Sequence, residues 1–327
     1  MAGLTTITLS LVLPTAPKVY QASATTSESS SSSSEQKQEF NVQKFDSNGK
    51  FLYGWGTKGS GNDQFYHAHG IAIDSLGNVY ISDQGNYHST KSHSDAIPHI
   101  SKFTSDGKFI TKWGSDGTGD GQFTQVESMA VDPSGNVYVA ELGNSRISKF
   151  TSDGKFIKSW GSEGSGDGSL EMPWGVAFDP SGNLLVTDKG KNMAFKFTPD
   201  GKFIKIMVPT GSGDGELQHP HGIAFDSSGN FYIPDQVHAN IQKFSPDGKF
   251  LLKWGSEGDG DGQFHRPHGI AIDRSSGNVY VADSGNHRIQ KFTSDGKFIK
   301  SWGDFEDPHD LRIDSAGNVY LVNTTYE

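Results

Sequence analysis

The sequence predicts an all-β fold: a six-bladed β-propeller of four-stranded antiparallel blades, with the N-terminal segment completing the last blade. Two observations carry this. A module ending in aspartate recurs at Asp74, Asp132, Asp179, Asp226, Asp273 and Asp314, with spacings of 58, 47, 47, 47 and 41 residues. A period of 40 to 50 residues containing four short strand-like runs is the pattern of a propeller. The last copy also stops after its second run, and the region from Phe40 holds the two runs it lacks.

Within one copy, 269–273 and 279–283 are β-rich runs joined by a Ser-Gly-Asn turn, and 288–292 and 298–302 are joined by Asp-Gly-Lys. Asp-Gly and Gly-Asn between alternating runs are hairpin turns, because Gly and Asn tolerate positive φ. Each copy is therefore a meander of strands a to d, with the small and branched residues of strand a lining the axis. After His309 only strands a and b remain; 40–45 resembles strand c and 51–56 resembles strand d. Closing the ring with the chain's own start hides the edges of the final blade. Five of the six copies end in Trp-Gly, at Trp55, Trp113, Trp160, Trp254 and Trp302. The fourth in chain order has Ile206-Met207 there, so this tryptophan serves packing and not chemistry.

The runs Pro267-His268-Gly269-Ile-Ala-Ile-Asp, Asn278-Val-Tyr-Val-Ala-Asp283 and Asn286-His-Arg-Ile-Gln-Lys-Phe292 resemble the NHL repeat. The Asn, His and Leu of that name correspond to Asn286, His287 and Ile289. The resemblance extends over all six copies, residues 40–327, and implies a six-bladed propeller, in agreement with the count of runs.

Composition bounds the function. A formal charge of −10 argues against a nucleic-acid surface, which is basic. With no cysteine, disulfides and thiol chemistry are excluded. The apolar run 4–14 is too short to span a bilayer. It precedes Ala22-Ser23-Ala24, a small-residue site like that of a secretory signal, so residues 1–24 are expected to be a signal peptide. Residues 25–39 contain six consecutive serines and read as a flexible linker. A secreted or extracytoplasmic, monomeric propeller without a transmembrane segment is the expectation.

The meander assigns every loop to a face. The twelve histidines all fall in b–c loops, crossovers or the starts of strand a, and so map to one face. That face also holds acidic crossovers and the long insertion 87–99 in the first b–c loop. The opposite face consists of near-identical short turns and reads as inert. The Gly-Asp-Gly runs of the crossovers lack the spacing and terminal Glu of a calcium loop and read as solvated turns.

Reading the residue before the strand a glycine in each copy gives His69, Ser128, Trp174, His221, His268 and His309 as candidates for a ring around the channel. Asp83, Glu141, Asp188, Asp235, Asp283 and Asn323 end strand b nearby. Their recurrence points to a structural bond with a neighbouring loop. Imidazole with carboxylate suits zinc or another divalent metal, with His221, His268, His309 and His69 as candidate ligands.

The settings Pro220-His221-Gly222, Pro267-His268-Gly269 and Pro308-His309-Asp310 resemble zinc-binding motifs of the peptidyl-α-hydroxyglycine amidating lyase domain, itself an NHL propeller. In that family the ligands come from alternate blades, whereas here they lie on consecutive ones. The family's Tyr and Arg after a strand b Asp are also replaced: Ser284 follows Asp283 and Gln84 follows Asp83. No Cys/His array of a ubiquitin ligase is present, since there is no cysteine. The favoured reading is an exported propeller that binds a protein or small-molecule partner through its His-rich face. The alternative is a metal-dependent lyase or hydrolase.

Overall fold

The computed structural model describes residues 20–21, 40–85 and 97–324. Six antiparallel sheets of four strands follow one another around a ring. Blades 1 to 5 span 68–113, 126–160, 173–208, 224–254 and 267–302. Blade 6 joins the two ends of the chain: strand a is Pro308–Ile313, b is Val319–Asn323, c is Val42–Phe45 and d is Phe51–Trp55. The seam is a regular ladder, with Val42 opposite Val322 and Phe45 opposite Val319. The closure expected from the incomplete last copy is therefore the one observed.

The expected signal peptide and Ser-rich linker fall outside the described residues, apart from a two-residue strand, Tyr20–Gln21, which pairs with the outer edge of blade 6. Most of the 87–99 insertion is outside them as well. Among the described residues no helix is long and apolar enough to cross a membrane.

Blades cohere through aromatic packing between neighbours. Trp113 ends blade 1 and lies against Gly154 in the c–d turn of blade 2, where a Cβ would sit 2.6 Å from the indole. The same contact recurs around the ring wherever strand d ends in Trp. In blade 3 the buried Met207 takes this place, its carbonyl oxygen 2.7 Å and its thioether methyl 3.5 Å from where a Cβ on Gly248 would sit, a looser side-chain contact than the indole makes. Blade 4 departs locally. Pro234 accepts the His221 N–H at 3.2 Å but has no N–H to return, and the regular part of strand a shrinks to Ala224–Phe225.

Strand a lines the axis, as expected. At its start the strands of adjacent blades approach backbone to backbone. A Cβ on Gly175 would lie 2.5 Å from the His221 carbonyl oxygen, and one on Gly70 still closer to that of Glu127. This approach is what sets the side chains preceding those glycines into one ring.

Candidate functional site

Strand register fixes which residues form that ring. Ala68 pairs with Asp83 and Ile71 with Ile81 in blade 1, with a bulge between them. In blade 2 the equivalent pairs are Val126 with Glu141 and Met129 with Val139. The residue matching His69 is therefore Glu127, and Ser128 takes the place of the glycine. Blade 2 has no glycine at this point to mark the register, which is why the sequence points one residue too far. The ring runs His69, Glu127, Trp174, His221, His268, His309, and all six are at most 9% exposed.

Four imidazoles from consecutive blades form an arc. Centroid separations are 4.4 Å for His221–His268, 4.5 Å for His268–His309 and 3.6 Å for His309–His69. Trp174 extends the arc at 4.3 Å from His221 and also reaches His69 at 5.4 Å. Glu127 closes the circle, with Oε2 2.5 Å from His69 Nδ1. Gln84 Nε2 donates to Glu127 Oε1 at 2.9 Å and holds the carboxylate in place. Where His69, Trp174 and His309 meet the strand a positions Gly70, Ser128, Gly222, Gly269 and Asp310, only about 10 Å3 of open space remains, roughly the volume one water centre needs. The arc is a closed cap on the axis.

A second tier sits over the first. His219 donates Nδ1–H to Gln236 Oε1 at 2.5 Å, and Gln236 Nε2 donates to His268 Nε2 at 2.8 Å. His268 therefore accepts at Nε2 and, as a neutral ring, carries its proton on Nδ1, which is buried without a partner. Both ring nitrogens of His221 are likewise buried and unpartnered. Lys189 Nζ lies 4.6 Å over the Trp174 ring. Burial pushes the Lys189 ammonium below its ordinary range, and it pushes His219 down as well, with the Lys189 charge adding to the effect. His221, His268 and His309 are driven well below the usual imidazole range, first by burial and then by neighbouring cations and one another.

Gln84, Lys189 and Gln236 each follow the last residue of strand b, a repeat position that varies from blade to blade. Variation at an otherwise repetitive position is the signal that could have found them.

The strand b carboxylates play the structural part expected of them. Asp83 accepts the N–H groups of Tyr66 and His67 at 2.9 and 2.8 Å, and Asp188 those of Glu171 and Met172 at 2.7 and 3.1 Å. Glu141 and Asp283 also hold Arg146 and Arg288, and Asn323 caps 306–307 in blade 6. Asp83, Asp188, Asp235, Asp283 and Asn323 pin the chain as it enters strand a, whereas Glu141 holds Asn144 and Arg146 and keeps Oε1 buried without a partner.

His69, His221, His268 and His309 do meet, and their type suits a divalent ion. They meet ring against ring, however, stacked for His221–His268, edge-on for His268–His309 and tilted for His309–His69. Among the described residues no three His, Cys, Asp or Glu side chains are grouped so that they could hold a metal ion.

A family model for the NHL repeat matches residues 123–150, 170–194 and 264–292. The chain carries NHL repeats within a six-bladed propeller. The matches cover parts of blades 2, 3 and 5, each including a strand b with its terminal acid. No curated protein matches the sequence. Solved structures share this propeller fold. A Bacteroides thetaiotaomicron protein of unknown function has a TM-score of 0.63 at 18% identity, over 86% of this chain and 73% of its own. A Xanthomonas campestris gluconolactonase has 0.59 at 19%, over 80% and 87%. A catalytically inactive His-to-Ala variant of virginiamycin B lyase from Staphylococcus aureus, bound to quinupristin, has 0.54 at 16%, over 87% and 99%. At these identities the likeness is one of fold.

Proposed function

We propose that this NHL propeller is an exported, monomeric binding protein that takes a ligand or protein partner on the crossover face, over the ring of His69, Glu127, Trp174, His221, His268 and His309. One observation carries the reading: His221 is buried with neither ring nitrogen hydrogen-bonded. An unsatisfied buried polar group costs about 1–3 kcal/mol, and a repeat fold that packs Trp174 at the equivalent position of blade 3 has no need of it. Lys189 and Gln236 stand over the ring and supply the donors that a partner's acceptor groups would meet. The closed ring means that the partner sits on this cap and does not thread the axis.

The test compares partner capture by the wild type with that by a folded variant in which His69, His221, His268 and His309 are all replaced by Gln. A partner that binds both equally well removes this face from the reading. Export is tested by fractionation of cells expressing the full chain.

A second reading, a metal-dependent lyase or hydrolase, is favoured by the buried His69–Glu127 pair, which has the form of a base held by a carboxylate. Gluconolactonase and virginiamycin B lyase share the fold, and the latter loses activity in its His-to-Ala variant. His221 keeps one unpartnered lone pair, whereas His268 accepts at Nε2 and carries its proton on Nδ1, and the side chains as arranged are not grouped to hold an ion. Elemental mass spectrometry of the wild type beside His221→Ala/His268→Ala tests it. Stoichiometric zinc lost in the double variant supports this reading, and its absence from both proteins ends it.

A further inference from the structure

On the side of the a–b turns, read from sequence as inert, the axis widens into a funnel of about 670 Å3. Its walls are the later residues of strand a, among them Met129, Val176, Ile223 and Ile270. Arg312 lies along it, and Arg274, Asp273 and Asp314 are at the mouth. A concave site of this volume, in which aliphatic side chains alternate with convergent polar groups, fits a small molecule.

The repeat symmetry breaks here twice, each time to arginine. Arg312 stands where the other blades have Ala72, Ala130, Ala177, Ala224 and Ala271. Arg274 stands where they have Ser75, Pro133, Pro180, Ser227 and Ser315, in an a–b turn one residue longer than the rest. Two of the chain's five arginines thus line one cavity from adjacent blades.

Their surroundings differ. Arg312 is built in: Nη1 donates to Asp310 Oδ1 at 2.6 Å and Leu311 O at 2.8 Å. Its Nη2 donates to Ser128 Oγ at 2.9 Å and Met129 O at 3.3 Å. Only its Nε–H has no partner among the described residues. Asp310 and Ser128 are themselves the two residues that replace the strand a glycine, so three departures from the repeat assemble one polar network beside the axis. Arg274, by contrast, is exposed and has no ion-pair partner among the described residues. The acids beside it are engaged: Asp273 accepts the hydroxyls of Ser275 and Ser276 at 2.7 and 2.5 Å, and Asp314 is 3.1 Å from Lys44 Nζ. Asp273 keeps its charge, since hydroxyls do not neutralise a carboxylate, and of the two arginines lining the funnel Arg274 is the one without an ion pair among the described residues, Arg312 being held by Asp310.

We propose that the funnel is a second ligand site, independent of the crossover face, for a small amphipathic carboxylic acid whose apolar body lies against the strand a walls and whose carboxylate pairs with Arg274. The planar guanidinium matches a carboxylate with two parallel hydrogen bonds. The spare Nε–H of Arg312 gives one further donor to an acceptor farther along the ligand.

The probes are decanoate, kept below its micellar concentration, and decan-1-ol, titrated calorimetrically into the full chain and its Arg274→Gln variant. Methyl NMR of Ile223 and Ile270 reports the location. The expected result is saturable 1:1 decanoate binding that shifts both isoleucine signals and weakens at least tenfold in Arg274→Gln, with decanol binding equal in the two proteins. Arg274 is an exposed turn residue, so the variant is expected to fold, and circular dichroism verifies this. Absence of saturable decanoate binding overturns the site. So does equal affinity in the variant, or signal shifts that spare Ile223 and Ile270.

Discussion

His69 Nδ1 and Glu127 Oε2 lie 2.5 Å apart, linking the ring positions of blades 1 and 2 in a site where both side chains are almost fully buried. Breaking such a pair on one side leaves the other group buried without its partner, which costs more than the pair's net worth. Glu127→Gln keeps the volume and removes the charge. We expect it to lower stability by about 2 kcal/mol in denaturant unfolding and to weaken binding on the crossover face at least tenfold. Ser128→Ala, one residue along, should leave that binding unchanged. Equal binding by the two variants would show that the pair holds the fold and nothing else.

The arc also makes stability depend on pH. His221, His268 and His309 titrate well below the usual imidazole range in the folded chain, because burial penalises the charged form. The unfolded chain, with ordinary imidazoles near 6.5, therefore takes up more protons as pH falls. Folding is unperturbed by these groups above that value and is progressively destabilised below it, by up to about 1.4 kcal/mol per pH unit for each. Urea midpoints measured from pH 8 to pH 5 should fall steeply below about pH 6.5. Replacing His221 and His268 by Gln should flatten the decline. A flat wild-type profile would contradict the burial of the arc.

The propeller was legible in the sequence because each blade repeats the same local solution, and a period seen six times outweighs ambiguity in any one strand. The ring was legible where His-Gly, Trp-Gly or Pro-His-Asp marked the register. Glu127 escaped because blade 2 carries Ser128-Met129 in place of Gly-Ile, and without the glycine the one-residue offset is invisible. Gln84, Lys189 and Gln236 lie beside strand b aspartates whose recurrence drew the attention. The funnel escaped for another reason. Arg274 and Arg312 are 38 positions apart in the chain (312 − 274) and read as scattered surface charge until ring closure sets them on one cavity.

Two glycines of similar conformation separate backbone strain from packing. Gly154 has φ of 87° and Gly182 has φ of 82°, so both favour a residue without Cβ. A Cβ at Gly154 would meet the Trp113 indole at 2.6 Å, while one at Gly182 would meet nothing within 4 Å. Gly182→Ala should cost about 1 kcal/mol, the left-handed penalty alone. Gly154→Ala should cost about 2–4 kcal/mol, because the overpacked indole must also move. Pairing Gly154→Ala with Trp113→Leu should recover part of the difference in a double-mutant cycle. Strict additivity would show that the two residues do not press on one another.

The seam of blade 6 decides where the N-terminus can be cut. Val42–Phe45 pairs with Val319–Asn323 on one side and with Phe51–Trp55 on the other. Trp55 is buried at 3% exposure against the Phe103 ring of blade 1, 5.9 Å between centroids. Removing residues 1–39 leaves all of this in place, and the shortened chain should unfold cooperatively within a few degrees of the full one. Removing residues 1–56 strips two strands from blade 6 and bares the hydrogen-bonding edge of Val319–Asn323, an open template for pairing with other chains. That protein should be aggregation-prone, and adding a peptide spanning 40–56 should restore a soluble monomer. Size-exclusion chromatography with and without the peptide reads the outcome, and a soluble monomer in its absence would mean that the ring can close without its N-terminal strands.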